Sequence, residues 1–220
     1  LVNDQGVEIE RMNNILVELS DDPRSGLAAG LFIADEAILN MELITSLRKP
    51  TGFFDPSNPE EKGSEDLSED NEDKTTAEIS RSLRSPMLSF ANTDMAFKDN
   101  VLVAGSYHGF NIYKLDDGGI PNLISSVVCP GGQGDVSIVE HLLIMSVQDT
   151  RGRLDCGLQG VGSEPSIERF RGIRIFDISD LTMPIQVGAV QTCRGSHTHS
   201  IVSGPDADGK IVVYNSGTSS

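Results

Sequence analysis

Two patterns of hydrophobic and polar positions divide the chain. In residues 7–19, four apolar residues recur at helical spacing and predict one amphipathic helix: Met12, Ile15, Leu16 and Leu19. From about residue 40 the apolar residues come in short runs bounded by Gly, Pro, Asn and Asp, which is typical of β-strands. The chain is therefore predicted to have an N-terminal helical or irregular segment, residues 1–39, and an all-β region, residues 40–220.

The β pattern is repeated within the chain. Val101 to Ala104 aligns with Leu142 to Met145 at a shift of 41 residues. Gly109 recurs as Gly172 at a shift of 63 residues, with apolar positions around both glycines in the same order. The difference, 63 − 41 = 22 residues, indicates an insertion in the second unit, which we assign to residues 150–171.

Each repeated unit contains four predicted strands, named A to D in chain order. The predicted strands are 89–98, 100–106, 109–115 and 121–129 in one unit, 134–139, 141–147, 172–178 and 184–193 in the next, and 197–203 and 210–215 in a third. Met41 to Pro50 aligns with Pro121 to Pro130, which predicts that residues 40–50 are the D strand of an earlier unit. Residues 51–86 are then an insertion between that strand and the next A strand.

A repeat of about 41 residues with four short antiparallel strands predicts a β-propeller in which each unit is one blade. Only about three blade equivalents are present, whereas closed propellers have about four to eight blades. We therefore expect the remaining blades to come from further C-terminal sequence or from another chain.

Charge narrows the choice of partners. The formal net charge is −16, which argues against a nucleic-acid or anionic-membrane binder, because both need clustered Lys and Arg. Eight acidic residues lie between Glu60 and Lys74, so the 51–86 insertion is predicted to be a flexible, solvated loop. No apolar run approaches the length of about 20 residues that a transmembrane helix needs.

The residues with useful chemistry fall at one end of the predicted blades. The connections from D to A and from B to C lie at the same end, and they carry these candidates: His108, Cys129, Asp135, Arg151, Arg153, Cys156, Cys193, Arg194, Ser196, His197 and His199. His141 is predicted at the opposite end, in a turn between A and B strands. We refer below to the first of these ends as the loop-rich face.

His197 and His199 are the strongest chemical lead. They are two residues apart at the start of an A strand, so an extended backbone points both imidazoles to the same side. That spacing suits two ligands of one transition metal, for which copper, zinc, iron and nickel are the usual partners of imidazole. The alternative is that both histidines hydrogen-bond loop carbonyls and thereby hold the D-to-A turn in place. His199 aligns with Val136, so the repeat predicts no ring of histidines.

Three strings resemble one known family. Val127 to Asp135, Arg169 to Asp180 and Cys193 to Ser200 resemble the LVIVD-repeat β-propellers of bacterial secreted and cell-surface proteins, with a likeness that covers about residues 24–220. The resemblance implies an exported protein, located extracellularly, in the periplasm or at the cell surface. Disulfides are reasonable there. It thereby favours a disulfide between the 150–171 insertion and a D-to-A loop, in which Cys156 pairs with Cys129 or Cys193.

Two functions follow as hypotheses. The first is a non-enzymatic binding or scaffold module that recognises a protein or a surface glycan through the loop-rich face. The second comes from a fainter likeness of the His197 to His199 stretch to selenium-binding-protein and methanethiol-oxidase-type propellers. It implies a copper-type, metal-dependent oxidoreductase with a histidine site at the mouth of the propeller channel. Neither hypothesis identifies a substrate or a catalytic residue.

Overall fold

The computed structural model describes residues 9–12, 14, 22–30, 33–50, 53, 92–149, 152–157, 160–161 and 165–218. The chain divides into two compact units, Leu1–Ser46 and Leu47–Ser220. In the first unit, residues 9–12 and 14 are helical, which agrees with the predicted helix as far as it is described. Three of the four residues predicted to form its apolar face, Ile15, Leu16 and Leu19, lie outside the described residues.

The described residues of the second unit form an all-β structure. Its strands are β1 (Asn92–Lys98), β2 (Val101–Ser106), β3 (Gly109–Leu115), β4 (Pro121–Val128), β5 (Val136–Val139), β6 (Leu142–Val147), β7 (Gly172–Asp177), β8 (Ile185–Gln191), β9 (Thr198–Ser203) and β10 (Val212–Ser216). All ten overlap strands predicted from the repeat. The all-β prediction is therefore confirmed for this part of the chain.

The strands form two four-stranded antiparallel sheets and one antiparallel pair. The sheet orders are β1-β2-β3-β4, β5-β6-β7-β8 and β10-β9, so each sheet follows the order of the chain. The first two strands of each four-stranded sheet are joined by a tight turn in which Asp99 or Glu140 adopts a left-handed backbone with φ of 52°. These two residues are equivalent in the repeat, which therefore extends to the backbone conformation of the turns.

The first two sheets pack face to face through a continuous apolar core. The first sheet contributes Ala96, Val103, Phe110 and Ile112, and the second contributes Val136, Leu143, Met145 and Phe176. The Phe110 and Phe176 rings meet edge to face with centroids 4.9 Å apart. Because opposite residues on paired strands share a face, the strand register places the members of each set on one side of their sheet.

A second apolar cluster joins the other side of the second sheet to the β9–β10 pair. Val139, Ile144 and Ile173 are buried there, with Ile201 and Val213 packed against them. The second sheet is thus covered on both sides, which explains why β6 is buried along almost its whole length.

The prediction of a D strand at residues 40–50 is wrong. No strand is assigned there, and Met41 and Ile44 are 82% and 61% exposed. A D strand forms only by pairing with a C strand, and the described residues before residue 40 contain none. Apart from Phe53, which is fully buried, the predicted acidic insertion at 51–86 lies outside the described residues.

The 150–171 insertion lies between β6 and β7, as predicted. Its described residues fold back on themselves through an isolated bridge between Arg153 and Arg169 and a hydrogen bond from the Phe170 amide to the Gly152 carbonyl, 2.8 Å. The insertion is therefore a compact loop against the sheet that it interrupts.

Gly109 and Gly172 begin the equivalent strands β3 and β7 with φ of 132° and 146°. A Cβ added at Gly172 would overlap the carbonyl oxygen of Val190 on the neighbouring strand, whereas a Cβ at Gly188 would meet no atom nearer than 3.6 Å. We predict that Gly172→Ala lowers the free energy of unfolding by at least about 2 kcal/mol, because both φ and space exclude a side chain. Gly188→Ala, the matched control, should stay within about 0.5 kcal/mol of the parent in urea denaturation. Equal effects of the two substitutions would contradict this prediction.

Candidate functional site

The loops predicted to lie together do meet at one end of the sheets. His108 is in the β2–β3 turn, and its carbonyl accepts a hydrogen bond from the Cys129 amide after β4, 2.7 Å. The loop between β8 and β9 joins them, since the Ser196 amide donates to the Val147 carbonyl at the end of β6, 2.9 Å. His141 lies away from these loops, in the β5–β6 turn. Arg151 lies outside the described residues.

A disulfide joins Cys129 to Cys156 across 27 residues. It connects the loop after β4 to the insertion between β6 and β7, which is the connection favoured from the sequence. Of the two partners left open there, Cys129 is the one used. Cys193 is exposed and has a free thiol. Cys129 is fully buried and Cys156 is half-buried, so the bond packs against the core of the two sheets.

Arg174 on β7 also holds the loop after β4 to the insertion between β6 and β7. Its Nη1 donates to the carbonyls of Cys129 and Pro130 at 3.1 and 3.3 Å, and its Nη2 donates to the carbonyls of Pro130 and Arg153 at 3.2 and 2.5 Å. The guanidinium also lies 5.5 Å from the centre of the Phe170 ring. Arg174 is fully buried, and burial lowers its pKa to about 10, so it remains a cation at neutral pH.

Arg153 holds the insertion together instead of facing an open site. Its guanidinium pairs with Asp155 at 2.7 Å and with Glu168 at 2.5 Å, and only 8% of its side chain is exposed. These hydrogen bonds raise the pKa of Arg153 and lower that of Asp155. The predicted candidate Arg153 is therefore committed to structural contacts, whereas Arg194 has an exposed side chain on the loop before β9.

Asp135, Ser146, Ser196 and His199 form a connected polar group on the loop-rich face. His199 Nδ1 lies 2.8 Å from Asp135 Oδ2 and 2.8 Å from Ser146 Oγ, and the His199 backbone amide donates to the same carboxylate oxygen at 2.8 Å. Ser146 Oγ is 2.7 Å from Ser196 Oγ. The His199 side chain is fully buried. The group ties the start of β9 to β6 and to the entry of β5.

The environment keeps Asp135 ionised. Burial alone would raise the pKa of Asp135, but the hydrogen bonds from the ring and backbone of His199 outweigh it, so the pKa lies below the ordinary value of 3.8. An ionised carboxylate only accepts hydrogen bonds, so His199 Nδ1 carries a proton and donates it to Asp135. Ser146 and Asp135 thus share one ring nitrogen. A Ser-His-Asp catalytic triad needs them on different nitrogens, so this group is not one.

His197 faces the same strand as His199. Its Nδ1 lies 2.5 Å from Gln148 Oε1, two residues beyond the Ser146 that contacts His199. Both rings therefore approach β6 or its immediate extension from one side, as the two-residue spacing predicts. They differ in environment, since His197 is exposed and His199 is buried.

One feature of His199 fits a ligand. Its Nε2 atom is buried and has no hydrogen-bond partner among the described residues. A metal-binding histidine typically holds a carboxylate with its second nitrogen, as His199 holds Asp135. The described residues contain no group of three or more His, Cys, Asp or Glu side chains able to hold a metal ion. His199 thus has a carboxylate on Nδ1 and an unpartnered Nε2, as a metal-binding histidine does. The described residues do not supply the further ligands that a metal site needs.

Equivalent hydrogen bonds in the repeated units join the first strands of successive sheets. Asp94 Oδ2 accepts a hydrogen bond from the Val136 amide, 2.9 Å, as Asp135 Oδ2 does from the His199 amide. Asp94 and Asp135 are equivalent positions, separated by the 41-residue shift. Asp135 was predicted as a candidate of the loop-rich face. The repeat shows that one of its roles is structural, since it accepts a backbone hydrogen bond from the next first strand, β9.

The sequence placed Ser196 on the loop-rich face without giving it a role, and it did not identify Arg174 or Ser146. Arg174 carried a signal, because it is a charged residue between apolar residues on both sides in a predicted strand, which is costly unless its charge is hydrogen-bonded. The serines carried none, since isolated serines are common in strands and loops. Their roles depend on contacts between residues about fifty positions apart.

No protein-family model and no curated protein sequence matches the chain. Among solved structures, the chain is similar to the computationally designed Ika4 protein, with 15% identity over 58% of this chain and 92% of that chain and a TM-score of 0.24. A likeness at that score carries no weight for fold or function. No helix among the described residues is long and apolar enough to cross a membrane.

We predict that Asp135→Ala lowers the free energy of unfolding by about 2 kcal/mol at pH 7, because it removes a charged acceptor from His199. The pKa of Asp135 is lower in the folded state, so this contribution is present above the ordinary Asp value and is lost as the pH falls below it. In urea denaturation, the difference in unfolding free energy between parent and variant should therefore shrink as the pH falls from about 4 through the lower folded-state pKa. Asp117→Ala, an exposed control, should change the stability by less than about 0.5 kcal/mol. A constant difference across pH would contradict this assignment.

Proposed function

We propose that the sheets are successive blades of a β-propeller of the LVIVD-repeat type, and that the protein is an exported binding scaffold that recognises a surface glycan through its loop-rich face. The observation that carries the proposal is the bracing of that face. Arg174 and the disulfide hold the loops of two sheets in one arrangement, while Arg194 and His197 remain exposed on it. A rigid platform with exposed side chains is suited to recognition.

Three observations support the propeller part of the proposal. The sheets follow the chain order, each with its first strand at the same edge. Their faces stack in sequence, first sheet on second and second on the β9–β10 pair. The first strands are linked by equivalent aspartates, Asp94 and Asp135, as expected for inner strands around a common axis.

The export part of the proposal rests on the resemblance and on the disulfide. Intramolecular disulfides persist in oxidising compartments and are rare in reducing ones. The Cys129–Cys156 bond is compatible with an extracellular, periplasmic or cell-surface location.

The glycan proposal predicts that the purified chain binds at least one member of a panel of bacterial surface polysaccharides and peptidoglycan on a biosensor. Arg194→Glu should weaken that binding by about tenfold or more, because it reverses an exposed charge at the binding face. The matched control Asp117→Lys reverses a charge at an exposed turn between β3 and β4 and should leave the affinity unchanged. Absence of binding across the panel, or equal loss in both variants, would exclude this function.

A second candidate is the metal-dependent oxidoreductase, with His199 and His197 as ligands. The buried, unpartnered Nε2 of His199 and the carboxylate on its Nδ1 favour it. Because the donor set among the described residues is incomplete, other groups would have to complete it. A bound transition metal would supply redox chemistry, and Asp135 would orient the His199 ring.

This candidate predicts stoichiometric metal in the protein. Elemental analysis after gentle purification should find about one equivalent of copper, zinc or iron, and His199→Ala should remove it. His141→Ala, on the opposite end, should retain it. A content below about a tenth of an equivalent in the parent protein would eliminate the oxidoreductase.

A further inference from the structure

Two arginines of the loop-rich face, Arg171 directly before β7 and Arg194 in the loop before β9, form no ion pair with any described carboxylate. Arg194 is exposed and Arg171 is half-buried. Two neighbouring arginines are used by the fold instead, since the guanidinium of Arg153 binds carboxylates and that of Arg174 binds carbonyls. The chain has 33 acidic and only 17 basic residues, so carboxylates are abundant. Arg171 and Arg194 therefore differ in carrying charge that no described side chain offsets.

Gly195 brings the two arginines close together. It follows Arg194 directly, and a Cβ added to it would lie 3.4 Å from Arg171 Cβ and 3.0 Å from Gln148 Cα. Its φ of 68° also favours glycine at this position. Both arginine side chains therefore start from neighbouring points of the backbone, and their long, flexible stems allow the two guanidinium groups to reach one ligand.

The backbone that carries Arg194 is held in place on both sides. The Arg194 carbonyl accepts hydrogen bonds from the amide and the hydroxyl of Thr218, at 3.0 and 2.8 Å. The Gly195 carbonyl accepts two more, from Thr192 Oγ1 at 2.8 Å and from Asn215 Nδ2 at 3.1 Å. A ligand that binds here does not have to order the loop, which lowers the entropic cost of binding.

The first sheet has an equivalent loop that contains neither arginine. In both four-stranded sheets, the carbonyl of the residue before the third strand accepts a hydrogen bond from the amide of the residue after the fourth strand, at 2.7 and 3.0 Å. The accepting residue is His108 in the first sheet and Arg171 in the second. At the same shift of 63 residues, Gly131 stands where the second sheet has Arg194. The backbone of the loop therefore requires neither arginine.

His197 adds a hydrogen-bond acceptor to the same place. It is exposed and lies two residues after Gly195, and its Nδ1 is 2.5 Å from Oε1 of Gln148. An amide oxygen only accepts hydrogen bonds, so Nδ1 donates, and Nε2 of the neutral ring is an acceptor. A sugar hydroxyl can donate to such a nitrogen, whereas a phosphate dianion cannot.

We infer that Arg171, Arg194 and His197 form a binding site for an acidic sugar of the uronic-acid type. The guanidinium groups bind its carboxylate through charge-assisted hydrogen bonds, and His197 Nε2 accepts a hydrogen bond from a ring hydroxyl. The inference rests on the proposed glycan binding and names the class of glycan. At physiological ionic strength charges farther away than about 8 Å are largely screened, so the net charge of −16 does not oppose a local anion site.

Two trisaccharides test the carboxylate, trigalacturonate and its carboxyl-reduced counterpart, which keeps the same linkages but has no charge. In isothermal titration calorimetry with the whole chain, trigalacturonate should bind at least about tenfold more tightly than the neutral trimer. Arg171→Gln and Arg194→Gln should each weaken trigalacturonate by about tenfold and leave the affinity for the neutral trimer unchanged. Lys114→Gln, the matched control, removes one exposed positive charge at the other end of β3 and should change neither affinity.

His197→Ala should weaken both trimers by the same factor, about threefold or more, because both carry the hydroxyl that His197 binds. The midpoints of urea denaturation of the Arg171→Gln and Arg194→Gln variants should equal that of the parent, since neither guanidinium has an acceptor among the described residues. Unchanged midpoints assign the loss of affinity to the site and not to the fold.

Equal affinity for the two trimers would overturn the acidic-sugar site and leave glycan binding in place. An equal loss in Lys114→Gln would also overturn it, because the effect would then follow from net charge alone. So would displacement of trigalacturonate by inorganic phosphate at an equal concentration, which would make phosphate the ligand. Binding of neither trimer, while another polysaccharide of the panel binds, would exclude this site alone, whereas absence of binding to every glycan would exclude the proposed function with it.

Discussion

The buried cation of Arg174 is the interaction on which the organisation of the loop-rich face depends. A guanidinium removed from water is costly unless it is hydrogen-bonded, and here its two terminal nitrogens donate to three carbonyls, those of Cys129, Pro130 and Arg153, while its Nε has no partner among the described residues. Those carbonyls belong to the loop after the first sheet and to the insertion in the second. The requirement to satisfy one charge therefore fixes two segments that are distant in sequence, and the disulfide joins the same two segments covalently.

A second constraint acts between the first strands of the sheets. Asp94 and Asp135 each accept an amide hydrogen bond from the next first strand, so each sheet positions the one that follows. His199 extends this arrangement, because the carboxylate that caps its backbone also holds its ring. His199, which the sequence predicts as a metal ligand, is thus also a structural residue. Its Nδ1 is committed to structure, and only its Nε2 is free for other chemistry.

The strands were predictable because the chain repeats them. Short apolar runs and recurring glycines located all ten described strands, and the 41-residue spacing of Asp94 and Asp135 reflects a contact made twice. The same alignment failed at residues 40–50, since a matching string does not supply the neighbouring strand that a sheet requires. The polar group around His199 could not be predicted, because Ser146 and Ser196 acquire their roles only through packing of distant segments. The disulfide partner of Cys156 was open for the same reason.

A double-mutant cycle in urea denaturation tests the central claim most directly. It compares the parent, Arg174→Met, the Cys129→Ser and Cys156→Ser pair, and the combination. If the cation and the disulfide hold the same two segments, the combined loss of unfolding free energy should differ from the sum of the separate losses by about 1 kcal/mol or more. Losses that add to within about 0.3 kcal/mol would contradict the claim that the two act on one structure.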